Sequence, residues 1–160
     1  VLASKLLFSC KKRWKLILSK KERGFIEFQR VGRMASIDRY GMPHVLPICY
    51  SLMDESIVSI LDEKPKKVPA IETKRIQNII ENSKIAVIFD HYDDHDWLRL
   101  GWVMVRGSAS ICLQGELYDV ALVNLQARYH QYNNMNLLGR PIIVLQIEIV
   151  SSWGELNNFY

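Results

Sequence analysis

Cysteine is scarce: the 160 residues contain only Cys10, Cys49 and Cys112, far apart and without a C-x-x-C pair. An odd, widely spaced set builds neither a disulfide framework nor a zinc knuckle, and it fits a reducing, cytoplasmic setting. Long apolar runs are missing as well, since none approaches the roughly 20 residues a membrane-crossing helix needs. No G-x-G-x-x-G, G-x-x-x-x-G-K-[ST], H-E-x-x-H or G-x-S-x-G pattern occurs. That removes the dinucleotide-fold, P-loop, zinc-protease and serine-hydrolase routes. Nor does one sign of charge dominate. A formal net charge of +4 argues only weakly for nucleic acid, and a small anionic ligand accounts for it equally well.

What is present reads as one globular domain preceded by a basic arm. The arm covers about residues 1–20, with Leu6, Leu7, Phe8, Trp14, Leu16 and Ile17 interrupted by Lys11, Lys12 and Arg13. Charges inside the apolar stretch do not make a signal peptide, which places them ahead of it. An amphipathic helix on a membrane is one reading. An arm packed on the domain or on a second subunit is the favoured one. Residues 21–160 carry the regular pattern. Lys20–Gln29 predicts a short helix. Strands are expected at Arg33–Ile37, His44–Leu52 and Ser56–Leu61, with a turn at Asp38–Gly41. Pro47 places the second strand at an edge or bulge, because proline cannot donate to a ladder. A helix is expected from Pro69 to about Glu81. Strands follow at Lys84–Phe89 and Trp102–Leu113, the latter with a bulge at Gly107. A helix over Leu117–Tyr132 and a half-buried strand over Pro141–Val150 complete the chain. Tight turns between successive strands imply antiparallel pairing, and a small closed barrel with covering helices removes the exposed edges.

Three stretches could carry chemistry. Lys64, Lys66, Lys67, Lys74 and Arg75 straddle a loop and a helix start, where cations beside free N–H groups make a phosphate or carboxylate site. A solvated basic loop is the plainer alternative. The segment Asp90–Trp97 (DHYDDHDW) offers His91 and His95 among carboxylates, but nothing fixes a metal geometry, and a hydrated acidic turn is expected there in preference to a metal site. Tyr92, Trp97 and Trp102 could stack on a planar ring, or fill a core or interface.

Taken together these stretches resemble a known family. Arg33–Tyr50 (RMASIDRYGMPHVLPICY) resembles the opening hairpin of the pyridoxamine-phosphate-oxidase-like split barrels, a small-residue strand, a D/G turn and P-H-x-x-P. Asp62–Lys67 (DEKPKK) and Lys74–Asn78 (KRIQN) are similar to the cofactor-phosphate segment of those proteins. DHYDDHDW followed by Trp102–Gly107 (WVMVRG) is similar to a branch of deazaflavin-dependent, coenzyme F-420 enzymes. The similarity runs from about Gly24 to Trp153, and the arm before it has no counterpart.

The resemblance implies a mainly β (α+β) fold, a six-stranded antiparallel split β-barrel with covering helices. It also implies a homodimer holding a deazaflavin (coenzyme F-420) or FMN at the subunit interface. By position Lys66, Lys74 and Arg75 would meet the phosphate, with Lys64 and Lys67 reaching an anionic tail. Pro47, Ile48 and Cys49 would line the ring by backbone contact, and Trp97 and Trp102 would lie near the open face. The expected activity is hydride transfer to or from a small molecule. That agrees with the lack of a dedicated acid–base constellation, since such a cofactor carries the chemistry itself. A non-catalytic flavin, deazaflavin or haem carrier is the alternative, with His44, His91 or His95 as axial ligand. A nucleic-acid binder ranks last, because the strands are aliphatic and lack interleaved aromatic and basic residues.

Overall fold

The computed structural model describes residues 17–62 and 69–157. Helix α1 (Lys20–Phe28) starts from a capping box. The Ser19 hydroxyl accepts from the Glu22 N–H, and the Glu22 carboxylate accepts from the Ser19 N–H. Both free donors at the helix start are thereby satisfied. Strands β1 (Gly32–Ile37) and β2 (Pro43–Ile48) form the first hairpin. Its turn is organised by Asp38, whose Oδ1 accepts from the Tyr40 and Met42 N–H groups at 2.9 Å each.

Then come β3 (Ser51–Met53), β4 (Ser56–Ile60), α2 (Lys74–Glu81), β5 (Lys84–His91), β6 (Gly101–Cys112), α3 (Glu116–Arg128) and β7 (Ile142–Gly154). All neighbours are antiparallel, in the order β2-β1-β5-β6-β7-β4-β3. The two edge strands, β2 and β3, are joined by only Cys49 and Tyr50. Three peptide steps span at most about 11 Å, so the sheet must curl until its edges meet. This is the split barrel expected from the sequence, with Pro47 on an edge strand as predicted.

Among the described residues seven strands replace the expected six, because the second one divides. The Tyr50 N–H donates to the Tyr129 hydroxyl at 3.0 Å, and that hydroxyl also lies 2.9 Å from the Tyr50 carbonyl. The Cys49 carbonyl accepts from the Ser59 hydroxyl at 2.7 Å. Side chains thus take the backbone groups that a continuous ladder would have used, and the chain turns a corner.

The barrel interior holds Phe25, Met34, Tyr50, Ile57, Phe89, Val103, Val105 and Leu145. A second layer between the sheet and α3 holds Val58, Ile60, Tyr118, Leu125, Ile142 and Val144. Strand β4, between β7 and β3, is therefore buried on both faces, which is why its residues do not alternate between buried and exposed. The bulge lies at Arg106/Gly107 in the pairing of β6 with β7. A Cβ on Gly107 would come within 1.9 Å of the Gln146 carbonyl oxygen, so no larger residue fits without moving the strand.

Two helix boundaries differ from expectation. The segment after Pro69 is a single 3-10 turn, Ala70–Glu72, and extended Thr73 separates it from α2. Helix α3 stops at Arg128, where Tyr129 turns extended, and His130–Asn134 is again a 3-10 turn. Among the described residues no helix is long and apolar enough to cross a membrane.

Candidate cofactor cleft

Where the two edges of the curled sheet meet they leave a cleft of about 370 Å³. One wall is the end of β2, Leu46 to Cys49. The other is Ser59 to Asp62 at the end of β4, with Arg75 and Tyr132 closing the sides. Among the described residues edge strand β2 pairs only with β1, so half of its backbone polar groups have no strand partner there and can serve a ligand.

Arg75 sits in the first turn of α2. That helix has no side-chain cap: the Thr73 hydroxyl donates to the Ala70 carbonyl, and the first N–H groups to close on Thr73 are those of Ile76 and Gln77. The cleft therefore receives a guanidinium carried by the first turn of an uncapped helix. Burial pushes the Arg75 pKa down, while the Asp62 carboxylate and Tyr132 oppose that shift. Arginine nonetheless keeps its charge, so a half-buried cation faces the cleft. Tyr132 is buried, and burial followed by the neighbouring Cys49 thiol pushes its hydroxyl well above the usual phenol range. It stays a neutral hydrogen-bonding group at any physiological pH.

The structure thus brings Pro47, Ile48, Cys49 and Arg75 into one cleft. Lys64, Lys66 and Lys67 lie outside the described residues, in the segment that follows Asp62. Lys74 is not part of the lining; its ammonium pairs with Asp38 Oδ2 at 2.9 Å. Trp97 and Trp102 are elsewhere. Trp97 is 70% exposed on a 3-10 turn, and Trp102 lies opposite Trp153 across the β6–β7 ladder. The acidic loop is consumed by its own turn. Asp93 Oδ1 accepts from the His95 and Asp96 N–H groups at 2.9 and 3.1 Å, which lowers its pKa. Asp96 accepts from the Leu98 N–H at 3.0 Å. Among the described residues no group of three His, Cys, Asp or Glu gathers.

Tyr132 has no site role in the sequence reading, and Asp62 enters it only as the first residue of the DEKPKK segment. Tyr132 reads as one more apolar position of a long helix, and only its distance of three residues from Tyr129 hints at an aromatic pair; the two rings lie 5.4 Å apart.

Outside the barrel, a depression of about 510 Å³ crosses β1, β5, β6 and β7, with Ala35, Ile37, Pro43, Ala86 and Ile149 in its floor. Lys84 borders it, bonded to Glu148 at 2.8 Å.

A family model described as pyridoxamine 5'-phosphate oxidase matches residues 18–154. None of the curated proteins matches the sequence. Among solved structures, the chain is similar to the conserved hypothetical protein Rv2991 from Mycobacterium tuberculosis, with TM-score 0.69, 19% identity, and coverage of 90% of this chain and 89% of that one. It is similar to a haem binding protein from Mycobacterium smegmatis, with TM-score 0.70 and 15% identity over 92% of this chain and 57% of that one. It also resembles HutZ, the haem storage protein from Vibrio cholerae, with TM-score 0.64 and 13% identity over 81% of this chain and 89% of that one. At such identities these likenesses establish the fold.

Proposed function

Because the chain belongs to the pyridoxamine 5'-phosphate oxidase family, we propose that its cleft holds a phosphorylated planar redox cofactor, coenzyme F-420 or FMN, and that the protein is an oxidoreductase acting on a small molecule. The observation that carries this reading is the meeting of Arg75, from the first turn of α2, with the end of edge strand β2 in one cleft. The cation suits a phosphate. The unpaired backbone groups beside Pro47, Ile48 and Cys49 suit the polar edge of a ring system. Leu46, Ile60 and Leu61 give its faces an apolar surround.

Such a cofactor supplies hydride chemistry that no side chain offers. The protein's own part is to orient the ring along β2, to neutralise the phosphate with Arg75, and to keep Tyr132 protonated beside the site. Lys64, Lys66 and Lys67, close in the chain to Asp62, extend the cationic side. That favours coenzyme F-420, whose tail carries further negative charge, over FMN. Lys74, committed to Asp38, is assigned a supporting role at the start of α2.

A homodimer completes the reading. The outer face of β1, β5 and β6, where Ala35, Ile37 and Ala86 lie beside Lys84 and Arg106, is covered by no helix among the described residues and is assigned as the contact between subunits. Trp97 and Trp102 would then sit at the edge of that contact.

The haem-binding names among the structural neighbours motivate the second reading, a haem carrier. No histidine lines the cleft among the described residues; Cys49 and Tyr132 are the ligand-type side chains there. The absorption spectrum and mass of whatever co-purifies with the protein separate the two. A deazaflavin or flavin band with the matching mass is expected, and a Soret band with haem mass overturns the proposal.

A further inference from the structure

On the other side of the Tyr129–Tyr132 pair, the ends of α1 and α3 enclose a groove of about 560 Å³ with Glu27, Arg30, Ser51, Asn124, Arg128 and His130 around it. It is built differently from the cofactor cleft, and its donors outnumber its acceptors. The Arg30 guanidinium lies 4.8 Å from the centre of the Tyr129 ring and donates to the Arg128 carbonyl. The Arg128 guanidinium lies 5.0 Å from the centre of the Tyr50 ring, donates to the Gln29 carbonyl, and reaches the Tyr129 hydroxyl at 3.3 Å. Rings and carbonyls hold both side chains in place, yet among the described residues neither guanidinium has a carboxylate partner. Each retains N–H donors that these contacts leave unused.

Asn124 has spent an N–H of its amide on the Val120 carbonyl at 2.8 Å. Among the described residues Glu27 is the one acid of the lining and makes no ion pair.

We propose that this groove is a second ligand site, for a small oxyanion such as a phosphate ester or a carboxylate. Two arginines fixed in advance by aromatic faces lose little freedom on binding and can grip an oxyanion through paired N–H donors. His130 adds a further donor at the rim. The alternative is that the arginines only cap helix ends, where cations are favourable in any case. Capping uses the carbonyls of Gln29 and Arg128, but it does not account for the donors that the two guanidiniums retain. The inference does not depend on which cofactor the first cleft binds.

Inorganic phosphate and citrate, each compared with chloride at equal ionic strength, test it by NMR titration of the full chain. Saturable shifts at the amides of Arg30, Ser51, Arg128 and His130 are expected, separate from any at Arg75. Tighter binding of phosphate marks a phosphate-ester ligand, and tighter binding of citrate a carboxylate. Arg30→Gln should weaken binding roughly tenfold, and Arg30→Lys should restore part of it. Glu27→Gln should tighten binding, because it removes the competing carboxylate of the lining. Shifts confined to Arg75, a response equal to that of chloride, or affinity unchanged by Arg30→Gln would overturn the site. Should Arg30→Gln fail to fold, Glu27→Gln decides, and unchanged affinity there counts against the proposal.

Discussion

Asp38 closes the β1–β2 turn and holds Lys74 at the same time, and this double use makes it sensitive to acid. Its bond to the Lys74 ammonium, followed by the Met42 N–H, holds its carboxyl below the ordinary value of 3.8. A carboxylate with a lowered native pKa binds protons less readily when folded than when unfolded. Its stabilising contribution is therefore complete above 3.8 and disappears as the pH falls through the lowered native value. Asp38→Asn should flatten the acid side of the stability profile, measured by thermal midpoints across pH 2–6 (roughly the carboxylate range), and Lys74→Met should do so in part. At Gly107 the constraint is steric. With the Gln146 oxygen 1.9 Å from a virtual Cβ, Gly107→Ala should cost about 1–3 kcal/mol in a denaturant titration. Both residues could be read in advance, Asp38 from turn chemistry and Gly107 from its place inside a strand.

At the scale of elements, local signals carried most of the order of strands and helices. Two of the departures share one cause. Nothing within Val45–Leu52 shows that the strand breaks at Cys49–Tyr50, because the group responsible is the hydroxyl of Tyr129, 79 residues away. The same tyrosine ends α3 early, since its hydroxyl serves Tyr50 and the Arg30 carbonyl instead of facing outward from a longer helix. Tyr129→Phe should leave the Tyr50 N–H without its partner and cost about 1–3 kcal/mol. An unchanged denaturant slope in the same titration would show that the loss is local and not a change in compactness. The site was legible in halves. Pro47, Ile48 and Cys49 followed from the edge-strand proline and the family pattern, and Arg75 from its helix start. Tyr132 was not legible, because its role depends on where α3 stops.

The whole molecule joins these pieces through one closure. The sheet curls because two residues link its edges, the cleft is the seam left by that closure, and the uncovered outer face is what remains of an unclosed surface. If that face joins two subunits, Ala86→Glu should convert a dimer to a monomer in light scattering while leaving the circular dichroism spectrum in place. A monomeric wild type would remove the assignment. The account as a whole rests on the seam being a cofactor site, and a binding titration of coenzyme F-420, FMN and haem against the wild type and Arg75→Gln addresses it most directly. The account predicts that a phosphorylated deazaflavin or flavin binds the wild type and that Arg75→Gln weakens it about tenfold to a hundredfold, the equivalent of a charge-assisted hydrogen bond of about 1.5–3 kcal/mol. Binding of haem alone, or flavin and deazaflavin affinities indifferent to Arg75→Gln, would contradict it.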